Sequence, residues 1–196
     1  MSKITEFMMV SVDGYFEGPT PWSIEWHQVD EEFEQFAMQQ LSEYDYLVFG
    51  RTTYEGMAQY WPSDEALRTD PGTAQKMNSA PKIVVSRTLD ASQVTWSGTP
   101  VVRDVEELSR IKREEEKSML VLGSSVLTAS LLEAGLLDEL RMMVVPVALG
   151  EGSSFLHHPG HTHPLRLVDV RKFRNGNVLL TYAPREAWNV KSRPLA

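Results

Sequence analysis

Two short apolar runs in this chain stop at a glycine and pass straight into hydroxyl or basic residues. Tyr46-Leu47-Val48-Phe49 leads into Gly50-Arg51-Thr52-Thr53, and Met119-Leu120-Val121-Leu122 leads into Gly123-Ser124-Ser125. Each reads as a buried strand handing over to a helix. A single glycine after an apolar run also serves as a plain tight turn; the repetition carries the argument. At a helix N-terminus the first backbone N–H groups have no internal partner, the helix dipole is positive, and a glycine lets a phosphate approach the backbone. Two such cradles in one sheet, each taking one side of a pyrophosphate, predict a dinucleotide-binding α/β protein.

The rest of the chain agrees with that class. Ile4 to Val12 reads as a first strand, followed by a loop from Asp13-Gly14 through Gly18, Pro19 and Pro21. Asp30 can cap a helix with an acidic first turn and with Phe33, Phe36, Ala37 and Leu41 on one face. After Gly50 a helix runs to Trp61-Pro62, and the Pro, Gly, Ser and Asp residues from there to Pro81 predict a loop. Lys82 to Ser86 is a β-branched strand, Val94 to Trp96 and Val101 to Val102 read as short strands, and Asp104-Val105-Glu106-Glu107 opens a charged helix as a capping box. Leu140 to Val147 is a long strand. Leu165 to Phe173 and Val178 to Ala183 form a hairpin through Asn175-Gly176. Strands alternating with helices, closed by that hairpin, predict three layers around a mostly parallel central sheet with a C-terminal antiparallel hairpin. One domain over residues 1–185 is expected, with 186–196 as a tail.

Charge and composition exclude several partners. A formal net charge of −8 argues against a nucleic-acid backbone as ligand, because that affinity comes from clustered Lys and Arg. No apolar run approaches the roughly 20 residues of a membrane-spanning helix. The absence of cysteine fits a reducing cytoplasm.

Five motifs in one order resemble the dihydrofolate reductase-like superfamily, and within it the branch of the C-terminal reductase domain of bacterial riboflavin biosynthesis proteins. They are Ser11-Val12-Asp13-Gly14-Tyr15, Gly50-Arg51-Thr52-Thr53-Tyr54-Glu55, Ile83-Val84-Val85-Ser86-Arg87, Val121-Leu122-Gly123-Ser124-Ser125, and Leu137-Asp138-Glu139-Leu140 leading to Pro146 and Gly150. The resemblance implies a dihydrofolate reductase-like fold, a homodimer, and NADPH as cofactor. By the same comparison Gly50, Thr52 and Thr53 form the first phosphate cradle, and Gly123, Ser124 and Ser125 the second. Arg51 meets the adenosine-side phosphates, and Ser86 with Arg87 receives the ribose 2′-phosphate, a dianion suited to a guanidinium fork. Leu122 and Val126 neighbour the nicotinamide-side half, and Met9 and Phe16 pack on the nicotinamide.

The implied activity is hydride transfer from NADPH to a small pyrimidine- or pterin-like heterocycle, as in 5-amino-6-(5-phosphoribosylamino)uracil reductase or dihydrofolate reductase. Three acids are candidates at the reaction centre: Asp13 at the end of the first strand, and either Asp30 or Glu34 on the first helix. Each has an ordinary alternative role. Asp13 suits an Asx turn, Asp30 a helix cap, and Glu34 a solvated first turn. The sequence lacks the deaminase domain of the riboflavin proteins and has few Lys or Arg in its first loop, so the substrate stays open. Trp22, Trp26 and Trp61 are candidates to wall a pocket for a flat ring. The run His157-His158-Pro159-Gly160-His161-Thr162-His163 has imidazoles suited to Zn or Ni, but loop spacing fixes no coordination geometry, and no metal is expected. A dinucleotide-binding dimeric module without turnover, and a structural dimer whose glycines only turn the chain, are the competing readings.

Overall fold

The computed structural model describes residues 2–96, 98–156 and 162–185. In chain order they form β1 (Ile4–Ser11), β2 (Tyr15–Glu17), α1 (Glu31–Ser42), β3 (Tyr46–Gly50), α2 (Arg51–Tyr60), α3 (Asp64–Thr69), α4 (Pro71–Ser79) and β4 (Lys82–Val85). They continue with β5 (Val101–Val102), α5 (Val105–Glu115), β6 (Met119–Val121), α6 (Ser125–Glu133), β7 (Glu139–Val145), β8 (Ser153–Ser154), β9 (Leu165–Lys172) and β10 (Val178–Pro184). Eight strands make one sheet in the order β5-β4-β3-β6-β1-β7-β10-β9. All pairings from β5 to β7 are parallel, whereas β10 runs antiparallel to both β7 and β9. The sheet is the mostly parallel one expected, with its antiparallel hairpin at the C-terminal end.

The apolar runs are continuous because both faces of these strands are covered. In β3, Val48 packs with α5 and α6 residues such as Leu108, Leu127 and Leu131, while its neighbours Leu47 and Phe49 pack with Leu41, Tyr54 and Met77 on the opposite face. In β6, Met119 and Val121 face the first layer and Leu120 the second. A third cluster, with Met9, Phe33, Phe36, Met143 and Phe173, fastens α1 beneath β1 and β7.

The segment 62–81 corrects the sequence reading, since it holds α3 and α4 rather than a loop. Ser63 accepts the Ala66 N–H at 3.2 Å, Asp70 accepts the Thr73 N–H at 3.0 Å, and Pro71 occupies the first turn of α4. The residues that read as loop signals are the start signals of two short helices. Residues 94–96 are likewise not a strand; they follow a 3-10 turn at Ala91–Gln93, and buried Trp96 donates its indole N–H to Asn78. The expected tail, 186–196, lies outside the described residues.

The topology selects one end of the sheet. The chain leaves β3 towards β4 on one side and leaves β6 towards β7 on the other, yet β3 and β6 are hydrogen-bonded neighbours. Right-handed crossovers then put α2 and α6 on opposite faces, and a crevice opens at the C-terminal ends of these two strands. Gly50 and Ser124 flank that crevice as the N-caps of α2 and α6.

The loop after β2 folds back over α2. A Cβ placed on Gly56 would lie 2.0 Å from Cζ2 of Trp22, so the indole sits directly on the helix backbone. Glycine inside a helix ordinarily costs about 0.5–1 kcal/mol relative to alanine. Here the order reverses: Gly56→Ala is expected to lower stability by about 1–3 kcal/mol through overpacking and to shift tryptophan emission. Denaturant unfolding showing a more stable variant would contradict this packing.

Candidate active site

The two glycine junctions are one structure. The Gly50 N–H donates to the Gly123 carbonyl at 3.2 Å. A Cβ on Gly50 would stand 2.7 Å from the Ser124 hydroxyl, and one on Gly123 would meet Thr53 Oγ1 at 3.3 Å. Gly123 also has φ +78°, a conformation that side chains disfavour, and the Gly123–Ser124 peptide is cis. The N-termini of α2 and α6 open side by side, joined by the Gly50–Gly123 hydrogen bond, with the positive φ at Gly123 favouring glycine there.

A cleft of about 660 Å³ lies along this mouth. Gly50, Arg51, Thr52, Ser124 and Val126 line its inner part, with Val126 65% exposed. Its outer part is built by Ser86 and Arg87 after β4, Arg103 after β5, and Glu106 in the first turn of α5. Arg51 is braced by Glu55 at 2.8 Å and by the Thr88 hydroxyl at 3.0 Å. Ser86 is buried, and its hydroxyl accepts the N–H groups of Thr88 and Leu89, so it shapes the turn that presents Arg87. The Arg87 side chain has no hydrogen bond or ion pair among the described residues. Sequence reasoning missed Arg103. Its Nη1 donates to the carbonyls of Ser86 and Leu89 at 3.0 and 2.8 Å, which holds a third guanidinium at the rim. Asp104, also in the cleft, is turned away to cap α5 at the Glu107 N–H.

Other expected cofactor residues lie elsewhere or hold the walls. The Ser125 hydroxyl accepts the Leu156 N–H at 3.0 Å, and half-buried Leu122 packs on the cluster around Phe49. Met9 is a buried core residue against Phe33 and Phe36. Phe16 is half-buried in β2, which pairs with β8.

The three candidate acids differ in what they already hold. Asp13 accepts from the Ser11 hydroxyl at 2.7 Å and from the Leu149 and Gly150 N–H groups at 3.1 and 2.8 Å. Those bonds, led by Ser11, lower its pKa to about 2 and tie the loop after β1 to the loop after β7. Asp30 caps α1 through the Phe33 N–H. The Glu34 carboxylate makes no hydrogen bond or ion pair among the described residues, and it lines a groove of about 530 Å³ between α1 and α4 with Met38 and Asp70. Because α1 leads down into β3, its first turn lies at the same end of the sheet as Gly50.

The tryptophans do not converge on one pocket. Trp22 lies on Gly56, the Trp26 indole donates to the Ser23 carbonyl, and that of Trp61 points at Met57. Of the histidine run, residues 157–161 lie outside the described residues. No helix among the described residues is long and apolar enough to cross a membrane.

Sequence reasoning also passed over Glu6, a fully buried carboxyl in the middle of β1. It accepts the Gly123 N–H at 3.2 Å, and burial pushes its pKa well above the ordinary carboxylate value. The only direct signal was an acid inside an apolar strand.

A mostly parallel sheet with a crevice at its switch point and an antiparallel C-terminal pair defines a dihydrofolate reductase-like α/β protein. The comparisons agree. The profile of the RibD C-terminal domain matches residues 2–179, and the chain belongs to that family. It is similar to the uncharacterised protein YyaP of Bacillus subtilis (strain 168), with 27% identity over 179 residues, which are 89% of this chain and 91% of YyaP. Its fold is shared by a pyrimidine reductase-like protein from Corynebacterium diphtheriae, with a TM-score of 0.68 at 14% identity, covering 95% of this chain and 93% of that one. Dihydrofolate reductase from Enterococcus faecalis, solved with NADP(H), aligns with a TM-score of 0.58 at 20% identity over 94% of this chain and 97% of the other.

His27, in the loop that leads to α1, gives this end of the molecule a pH signature. Burial lowers its pKa from 6.5 to about 4, partly opposed by Glu25. Between those values the unfolded chain binds the extra proton, so the contribution of this site is complete above pH 6.5 and is lost as pH falls towards 4. His27→Gln is expected to flatten that part of a Tm-against-pH profile. Parallel wild-type and variant profiles over the interval would refute it.

Proposed function

We propose that this chain is an NADPH-dependent reductase of a small, flat heterocycle of the pyrimidine or pterin kind. The observation that carries the reading is the pair of abutting helix mouths, with little room for a side chain at Gly50, that open into a cleft lined by Arg51, Arg87 and Arg103. Membership of a family of NAD(P)H-dependent reductases supports it.

The residues fit the cofactor. The N-termini of α2 and α6, with the Thr52 and Ser124 hydroxyls, would hold the pyrophosphate. Arg87, with Arg103 beside it, would take the ribose 2′-phosphate, since a dianion needs a guanidinium without a prior carboxylate partner. When bound, NADPH supplies the hydride. The chain's own task is to orient the two rings and exclude water. Asp13, ionised far below neutrality, is unsuited to donating a proton at neutral pH and instead positions the loop over the nicotinamide side. Glu34, with no prior partner, is our candidate for anchoring the heterocycle in the groove beside α1. A cysteine-free composition supports a cytoplasmic setting.

A calorimetric titration of the purified protein is expected to give saturable NADPH binding, with NADPH oxidation on at least one compound in a panel of pterins and pyrimidines. Arg87→Ala should weaken NADPH by about tenfold or more, the scale of one charge-assisted hydrogen bond, while changing NADH less than about twofold. Equal losses would refute the 2′-phosphate assignment. Binding without turnover across the panel would favour the dinucleotide-binding module.

The homodimer belongs to the same reading. β9 is an edge strand, and its Leu167, Val168 and Val170 are 49%, 50% and 51% exposed. An apolar edge of this kind is a template for pairing. Light scattering should give twice the chain mass, and Val170→Lys should reduce it to one; a wild-type monomer would exclude the dimer.

A further inference from the structure

We infer that Glu6 is the positioning residue that sets both phosphate cradles in register, acting from beneath the sheet without touching a ligand. This inference rests on the cofactor reading above and names the group that holds its geometry.

The connection is a short chain of hydrogen bonds. Glu6 Oε1 accepts the Gly123 N–H at 3.2 Å, and the Gly123 carbonyl accepts the Gly50 N–H at 3.2 Å. One buried carboxyl thus fixes Gly123, at the mouth of α6, through its N–H, and the Gly123 carbonyl in turn fixes Gly50 at the mouth of α2. The other carboxyl oxygen, Oε2, is buried without a hydrogen-bond partner among the described residues, and the Thr128 hydroxyl donates instead to the Ser124 carbonyl at 3.0 Å, so the link from Glu6 to the cradles runs through Gly123.

The location explains why a carboxyl stands there. Glu6 pairs in register with Val121 of β6 and Leu140 of β7, at the centre of the sheet, and is 0% exposed. β6 ends at Val121, so the Gly123 N–H has left the strand ladder. An apolar side chain at position 6 would leave that donor buried without a partner, at the usual penalty for an unsatisfied group. Glu6 reaches past the end of β6 and supplies the acceptor that the strand no longer provides. Its burial favours the neutral acid, which adds no second negative charge beneath an anion-binding helix end.

The test compares Glu6→Met, which keeps volume and removes the acceptor, with Glu6→Gln, which keeps an acceptor oxygen. Leu108→Ala, a buried α5 residue outside the site, controls for general destabilisation. Amide hydrogen exchange is read at Gly50 and Gly123 in the ligand-free proteins, and NADPH affinity is read by calorimetry. Glu6→Met is expected to speed exchange at both glycines at least tenfold relative to the Leu108→Ala control and to weaken NADPH about tenfold. Glu6→Gln should return both within about twofold of wild type. Unchanged exchange in Glu6→Met, or a Glu6→Gln that behaves like Glu6→Met, would overturn the inference. If wild type does not bind NADPH, the cofactor reading falls and the exchange measurements alone decide the role of Glu6. Glu6→Leu replaces Glu6→Met, with the same outcomes, should the latter not fold.

Discussion

The contact between Gly50 and Gly123 is the constraint on which the rest of this site depends. Two helix N-termini each present unpaired N–H groups and a partial positive charge, and bringing them together concentrates both at one point. That approach requires removing side-chain volume. The Gly50 N–H reaches the Gly123 carbonyl with no side chain of residue 50 crowding the Ser124 hydroxyl, which a Cβ there would approach to 2.7 Å. The positive φ of Gly123 then turns the chain from β6 into α6 without disturbing the contact. Local charge, not net charge, therefore sets the potential at this point of an acidic protein: the helix N-termini supply part of the positive charge and the three arginines that line the cleft supply the remainder.

Rigid support for that point comes from the sheet. β3 and β6 are central strands, covered on both faces; α2 starts directly from the end of β3, and α6 starts after Leu122, Gly123 and Ser124 beyond the end of β6. Alternate residues of the same strands enter cores on opposite faces, so a shift of either strand along its axis would break packing in both layers at once. The cradles inherit the rigidity of the best-packed part of the molecule. By contrast, Arg87 stands on the turn after β4 with no hydrogen bond or ion pair among the described residues, so its reach can adapt, whereas Arg51 is held by Glu55 and Thr88 and Arg103 by the Ser86 and Leu89 carbonyls.

The sequence disclosed the parts whose signal is local and periodic. Strands β3, β4 and β6 were legible as apolar runs, the caps of α1 and α5 as Asp30 and Asp104, and the hairpin as Asn175-Gly176. The helices α3 and α4 were not, because Ser63 and the Asp70-Pro71 pair signal a helix start and a loop equally well, and the short helices that follow carry few apolar residues to break the tie. Arg103 and Glu6 were hidden for a different reason. Their roles come from partners distant in sequence, Ser86 and Leu89 for the first and Gly123, 117 positions away, for the second. No window along the chain contains that information.

The acids at the C-terminal end of the sheet show how occupancy sorts candidates that composition leaves equal. Asp13, Asp30 and Glu34 are all exposed or half-exposed carboxyls near the C-terminal ends of the strands. Asp13 already accepts two backbone N–H groups and a hydroxyl, and Asp30 accepts the N–H that opens α1. Recruiting either to a substrate would first undo the loop or helix end that it secures, and the bonds that lower the pKa of Asp13 also make it a poor proton source. Glu34 has no such prior bond, so a ring amine in the groove beside Met38 would gain the full interaction with its carboxylate. The geometry therefore separates the three: Asp13 shapes the loop, Asp30 begins the helix, and the Glu34 carboxylate alone makes no hydrogen bond or ion pair among the described residues.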